Sequence, residues 1–168
     1  MTRALLIIDI QNDYFSGGVL PLHQSQDVET RIVKTIQCAS KTGDRIILVR
    51  HISQSVTGLF AANANGNAIR PDILKAATGA PVVIKKFADA FQDTDLSNYL
   101  KGVTDLLICG MMTQNCVVFT AMSELAKGYN VTIIGDLCTA PTEIVHKIAL
   151  NALASKLNVQ SAADIWPE

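Results

Sequence analysis

Five short apolar runs, near residues 4–8, 45–50, 82–85, 105–109 and 131–135, alternate along this chain with stretches of helical period. Each run is long enough for one strand, and several are apolar at consecutive positions, as in strands covered on both faces. Segments near 27–42, 95–101, 116–127 and 142–155 read as the intervening helices, and a weak last strand is placed around Val159. The first helix is expected to turn Val28, Ile32, Ile36 and Ala39 inward, and the last, begun near Pro141, to turn Ile144, Ile148 and Leu153 inward. Strand–helix alternation implies right-handed crossovers and a mostly parallel sheet of five to six strands with helices on both faces. The expected class is α/β, a three-layer αβα, Rossmann-like fold. With 168 residues and no repeat, low-complexity tract or linker, the chain reads as a single domain, residues 1–168.

Chemistry collects where these strands end. The first run stops at Asp9, the third at Lys85 and Lys86, and the fourth leads through a Gly-containing turn to Cys116. Carboxyl ends of parallel strands face the crevice in which open α/β sheets hold their ligands. An acid, a lysine and a thiol therefore converge if their strands are neighbours. Cys116 is expected in the first turn of an amphipathic helix that buries Val118, Met122 and Leu125 and stops at Gly128. Free N–H groups and the helix dipole would there favour a thiolate, the nucleophilic form. A lone strand-end charge is ordinarily a solvated residue and a lone cysteine a small core residue; three complementary groups placed alike favour catalysis.

Asp9 in IIDIQNDYF, Lys85 opening the pattern K-x-x-x-x-A-F-x-x-T-x-L, Cys116 in GMMTQNCV and the acidic strand end at Asp136 in VTIIGDLCTA resemble one family in order and spacing. That family is the isochorismatase-like cysteine hydrolases, which include nicotinamidases and related amidases. The resemblance implies the isochorismatase-like hydrolase fold and a catalytic triad of Asp9, Lys85 and Cys116. It also implies a cis peptide at Met111–Met112 and an oxyanion hole formed by the N–H groups of Met112 and Cys116. Lys86 fits less well, standing five residues before Phe91 where the family's lysine stands six before it. The implied reaction is hydrolysis of a small amide through a thioester on Cys116. The alternatives are a vinyl-ether hydrolase of isochorismatase type, a catalytically silent binding protein and a thiol redox protein.

Around the triad, Gln11, Phe15, Arg50, His51 and Phe60 are expected to touch substrate. Asn12 and Asp13 are read as turn-closing residues, and Asp136 as a structural cap. Metal-dependent nicotinamidases carry Asp-x-His after the second strand, whereas this chain reads LVRHIS there and has only His23 and His146 besides. No metal and no cofactor are therefore expected. The stretch from His51 to Asp72 reads either as a binding loop or as a mobile surface excursion.

Net charge is −1 without a basic cluster, which argues against a nucleic-acid partner. No apolar run approaches the roughly 18 residues of a membrane span. The chain opens directly on its first strand without a signal peptide, so the expected location is cytoplasmic. The expected partners are a small-molecule substrate and further copies of the chain, as dimer or tetramer. Cys38, Cys109, Cys116 and Cys138 include no C-x-x-C pair and read as free thiols, with Cys38 and Cys109 packed in the core and an approach of Cys138 to the pocket rim only the lesser reading.

Overall fold

In the computed structural model, which describes residues 2–167, the apolar runs form six strands: β1 (Arg3–Ile8), β2 (Arg45–His51), β3 (Val82–Lys85), β4 (Asp105–Met111), β5 (Asn130–Thr139) and β6 (Asn158–Gln160). All pair in parallel, in the order β3-β2-β1-β4-β5-β6. β1 and β4 are buried along almost their whole length, which explains their unbroken apolar sequences. β3 is an edge strand, with Val83 and Lys85 buried and Val82 and Ile84 exposed. The chain runs outward from β1 to β3, then returns to lay β4 against the other side of β1. That reversal makes the β1/β4 boundary the topological switch point.

Five helices fill the crossovers, α1 (Ser25–Lys41), α2 (Pro71–Ala76), α3 (Leu96–Tyr99), α4 (Val118–Ala121) and α5 (Glu143–Ala154), and α6 (Ala162–Ile165) follows the last strand. α1 buries Val28, Ile32, Ile36 and Ala39 as its period requires. Cys38 lies off this face and is exposed, not in the core. Two amphipathic readings are overturned. The segment expected as one helix over 116–127 is a π-type turn (Thr113–Val117), then α4, then a 3-10 turn (Glu124–Gly128). Val117, Thr120 and Ala121 face inward, leaving Met122 42% and Leu125 57% exposed. α5 buries Ala149 and Leu153 but leaves Ile144 67% and Ile148 64% exposed. Its sequence is apolar on two faces, so periodicity alone cannot choose between them. Its N-cap is Thr142, whose side chain accepts from the Val145 N–H.

β5 runs four residues beyond its expected end. A register shift opposite Ile108–Gly110 bulges residues 134–137, so that Cys138 pairs with Gly110. Cys138 is buried, its Sγ against the Ile134 carbonyl, rather than at a pocket rim. Asp136 is indeed a cap: its Oδ1 accepts from the Ala162 N–H at the start of α6. Asp44, in the turn before β2, ties both chain ends together by accepting from Arg3 and from Trp166 Nε1. Among the described residues, no helix is long and apolar enough to cross a membrane.

Candidate active site

β1 ends abruptly because Asp9 adopts a left-handed backbone, φ 55°, while its N–H still donates to the Val49 carbonyl. Non-glycine residues rarely hold that conformation unless their surroundings enforce it, and such outliers gather at functional sites. On the other side of the switch point, Gly110 (φ 124°) lies so close to β1 that a Cβ there would overlap the Ile8 carbonyl oxygen. Glycine is what permits the two backbones to approach, and it brings the turn carrying Cys116 beside Asp9. The Met111–Met112 peptide that follows is cis.

The acid, lysine and thiol meet at this boundary. Lys85 Nζ lies 3.0 Å from Asp9 Oδ2 and 3.3 Å from Cys116 Sγ. Asp9 and Lys85 are fully buried and Cys116 is 3% exposed. Lys85 starts from β3, two strands from β1 and thus about 10 Å across the sheet. A long side chain is required to span that gap, and it passes over His51 at the end of β2, with which Lys85 is in register. Lys86 points the other way and is exposed.

Burial opposes the charged forms of Lys85 and Cys116. It pulls Lys85 down, but the charges of Asp9 and Cys116 outweigh it and the ammonium is held above its ordinary value. Burial, reinforced by Asp9, pushes the Cys116 thiol well up, by more than Lys85 lowers it. That direction runs against the thiolate expected from a helix start. The helical pieces after Cys116 are too short to offer a strong dipole, and desolvation dominates.

The five expected substrate contacts are placed very differently from one another. Gln11 is fully buried; its amide donates to the His51 and Asn67 carbonyls and accepts from the His51 N–H. Arg50 is bound to the carbonyl and side-chain oxygens of Asn67. Phe15 is buried beneath the Arg70 guanidinium, and Phe60 is buried against Tyr14. These four side chains fasten the 52–70 loop to the sheet. His51 alone touches the triad, its Nδ1 2.8 Å from Lys85 Nζ. Asp13 also reaches the long loop, accepting from the Phe60 N–H, and Asn12 donates to the Asn65 carbonyl.

Sequence reasoning missed Asn67. Its side chain is 2% exposed and donates to the Ala61 and Ala62 carbonyls. One Asn in an Ala-Asn-Ala-Asn-Gly-Asn stretch carries no signal that distinguishes it from its neighbours.

Asp9, His51 and Cys116 each offer a metal-ligating atom, all within 4.8 Å of one another. The Lys85 ammonium, however, is within 3.3 Å of an atom of each, taking the place a cation would need. This donor set does not suit a metal ion.

Fold and grouping together define a class: the doubly wound α/β hydrolases with an acid, a lysine and a thiol at the switch point. The sequence profile of the isochorismatase domain matches residues 3–164, and the chain belongs to that family. Among its relatives, the uncharacterized isochorismatase family protein YddQ of Bacillus subtilis (strain 168) is 32% identical over 145 residues, which cover 84% of this chain and 80% of YddQ. Nicotinamidase 3 of Arabidopsis thaliana is 28% identical over 165 residues, covering 90% of this chain and 80% of its own. An isochorismatase family protein from Desulfovibrio vulgaris superposes with a TM-score of 0.88 at 26% identity, over 98% of this chain and 96% of the other.

Proposed function

We propose that this protein is a cysteine amidase that cleaves the C–N bond of a small molecule through a thioester on Cys116. The observation carrying the reading is the position of Lys85 Nζ, 3.0 Å from Asp9 and 3.3 Å from Cys116, with all three side chains buried. Asp9 takes the Cys116 proton as sulfur attacks the amide carbonyl, and the N–H groups of Met112 and Cys116 hold the oxyanion. The C–N bond breaks as Asp9 returns that proton to the leaving amine. Asp9 then deprotonates a water, which attacks the thioester and releases the acid and the thiol. Lys85 stabilises whichever of Asp9 and Cys116 is negative at each stage. Burial pushes the thiol up, so transfer of its proton to Asp9 accompanies the attack. The nicotinamidase relative supports an amide substrate.

An amide panel scored by ammonia release, with intact-mass trapping of a thioester, tests the reading. Cys116→Ala abolishes both signals and leaves the fold intact; a Cys116→Ala protein that still turns over the same amide overturns it. Activity is expected to survive dialysis against a chelator, because the ammonium fills the Asp9–His51–Cys116 set. Loss that returns on adding a divalent metal would refute this.

The same reading includes a homo-oligomer, with α5 as the contact. Ile144 and Ile148 are exposed on α5 and flanked by the Glu143–Lys147 ion pair. A second copy laid antiparallel sets Ile144 of one chain on Ile148 of the other and brings acid against base. This self-complementarity singles out a second copy as the occupant.

A further inference from the structure

The Lys85 ammonium has four acceptors in reach: His51 Nδ1 at 2.8 Å, the Phe87 carbonyl at 2.9 Å, Asp9 Oδ2 at 3.0 Å and Cys116 Sγ at 3.3 Å. An ammonium has only three protons to give. Hydrogen-bond geometry is met at His51, Phe87 and Cys116, and at neither oxygen of Asp9. Four acceptors thus compete for three protons, and Asp9, held as an ion pair at 3.0 Å, is the one the ammonium faces least squarely.

His51 is what turns it. It lies on β2 between β3 and β1, in register with Lys85, so the lysine passes it on the way to Asp9. An ammonium has no lone pair, so Nδ1 must be the acceptor of this contact and the imidazole proton resides on Nε2. Burial and the Lys85 charge hold His51 below its ordinary value, against the pull of Asp9, which keeps the ring neutral and able to accept. Its backbone is pinned on both sides by Gln11 and its ring leans on Phe60, centroids 5.7 Å apart.

We propose that His51 is a positioning residue: it draws one Lys85 proton to Nδ1 and so leaves Asp9 free to receive the proton of Cys116. Without His51, that N–H turns to Asp9, already 3.0 Å away. A charge-assisted hydrogen bond then stabilises the carboxylate and weakens it as a base. Cys116 consequently keeps its proton to higher pH. The kinetic consequence rests on the amidase reading, whereas the proton sharing is a property of the resting site and can be read without any substrate.

Two variants separate this role from plain packing. His51→Phe keeps a ring against Phe60 and removes the acceptor; His51→Asn removes the ring and keeps an acceptor oxygen close to where Nδ1 stood. The first readout is the pH profile of Cys116 alkylation by iodoacetamide, followed by peptide mass so that exposed Cys38 does not interfere. The second is kcat and KM on an amide that the unaltered protein hydrolyses. In His51→Phe the alkylation midpoint rises by about one pH unit or more. Its kcat falls roughly 10- to 100-fold with KM within about 3-fold, as for loss of a tuned base. His51→Asn stays within about 3-fold of the unaltered protein in kcat, and its profile is unshifted. A Phe variant with the unaltered profile, or an Asn variant that falls as far as Phe, overturns the proposal. An unaltered protein that alkylates at Cys116 but hydrolyses no amide sinks the amidase reading instead, and the alkylation comparison still decides the role of His51.

Discussion

Lys85 is fully buried with its charge answered at short range by Asp9, so its replacement should be felt in stability as well as chemistry. Removing one partner of a buried ion pair strands the other, typically at about 3–5 kcal/mol. Lys85→Met is expected to destabilise by that order and to stop turnover, whereas exposed Lys86→Ala should stay within about 0.5 kcal/mol of the unaltered protein. Urea melts of the two variants check this, and a reversed ranking would move the triad lysine to position 86. Asp44 offers a second residue-level test. Burial alone would raise its carboxyl, but hydrogen bonds from Arg3, Trp166 and Thr42 prevail and hold it below the usual carboxylate range. A carboxyl lowered by folding contributes stability above its unfolded value, near 4, and loses it as pH falls through the lower folded value. Asp44→Asn should therefore lower Tm at neutral pH and flatten the acid limb of Tm against pH. An unchanged acid limb would assign that limb to other carboxylates.

At the scale of elements, the 52–70 loop behaves as a fastened strap. Asn67 donates to Ala61 and Ala62, accepts from Arg50, and lends its carbonyl to Gln11 and Arg50. Asn67→Ala strips the side-chain bonds and leaves buried groups unpaired, at about 2–3 kcal/mol. Hydrogen exchange should then accelerate across residues 58–70 while β1 and β4 stay protected; uniform protection would mean the loop is held from elsewhere. This fastening was invisible in the sequence because its partners lie up to 56 positions apart. Five of the six strands were legible because each holds a short apolar run, β6 being only weakly marked by Val159, and Asp9, Lys85 and Cys116 because each follows such a run. Helix faces were less so. Val118, Met122 and Leu125 keep helical spacing, yet the chain breaks its helix after Ala121 and the pattern loses its meaning. Ile144 and Ile148 are as apolar as the buried Ala149 and Leu153, and only the packed sheet decides which pair faces in. The upward push on the Cys116 thiol was not legible because local position suggests a dipole, while desolvation is a property of the folded surroundings.

For the whole molecule, the exposed α5 face makes a direct prediction. Ile148→Asp should leave the chain folded, since Ile148 is 64% exposed, and should convert the proposed oligomer to monomer in light scattering. A variant of unchanged mass would move the contact off α5. The strand order carries a different consequence, one of timing. β1 is flanked by β2 and β4, and its pairing with β4 joins Arg3 to Asp105. A chain emerging from the ribosome at about 5–20 residues per second exposes β1 for roughly 5–20 s before β4 follows. Through that interval one edge of the most apolar strand lacks its neighbour, and such an edge invites pairing with other chains. Nascent chains halted between β3 and β4 should therefore be the ones that chaperones hold, and release should coincide with arrival of the segment that bears Cys116.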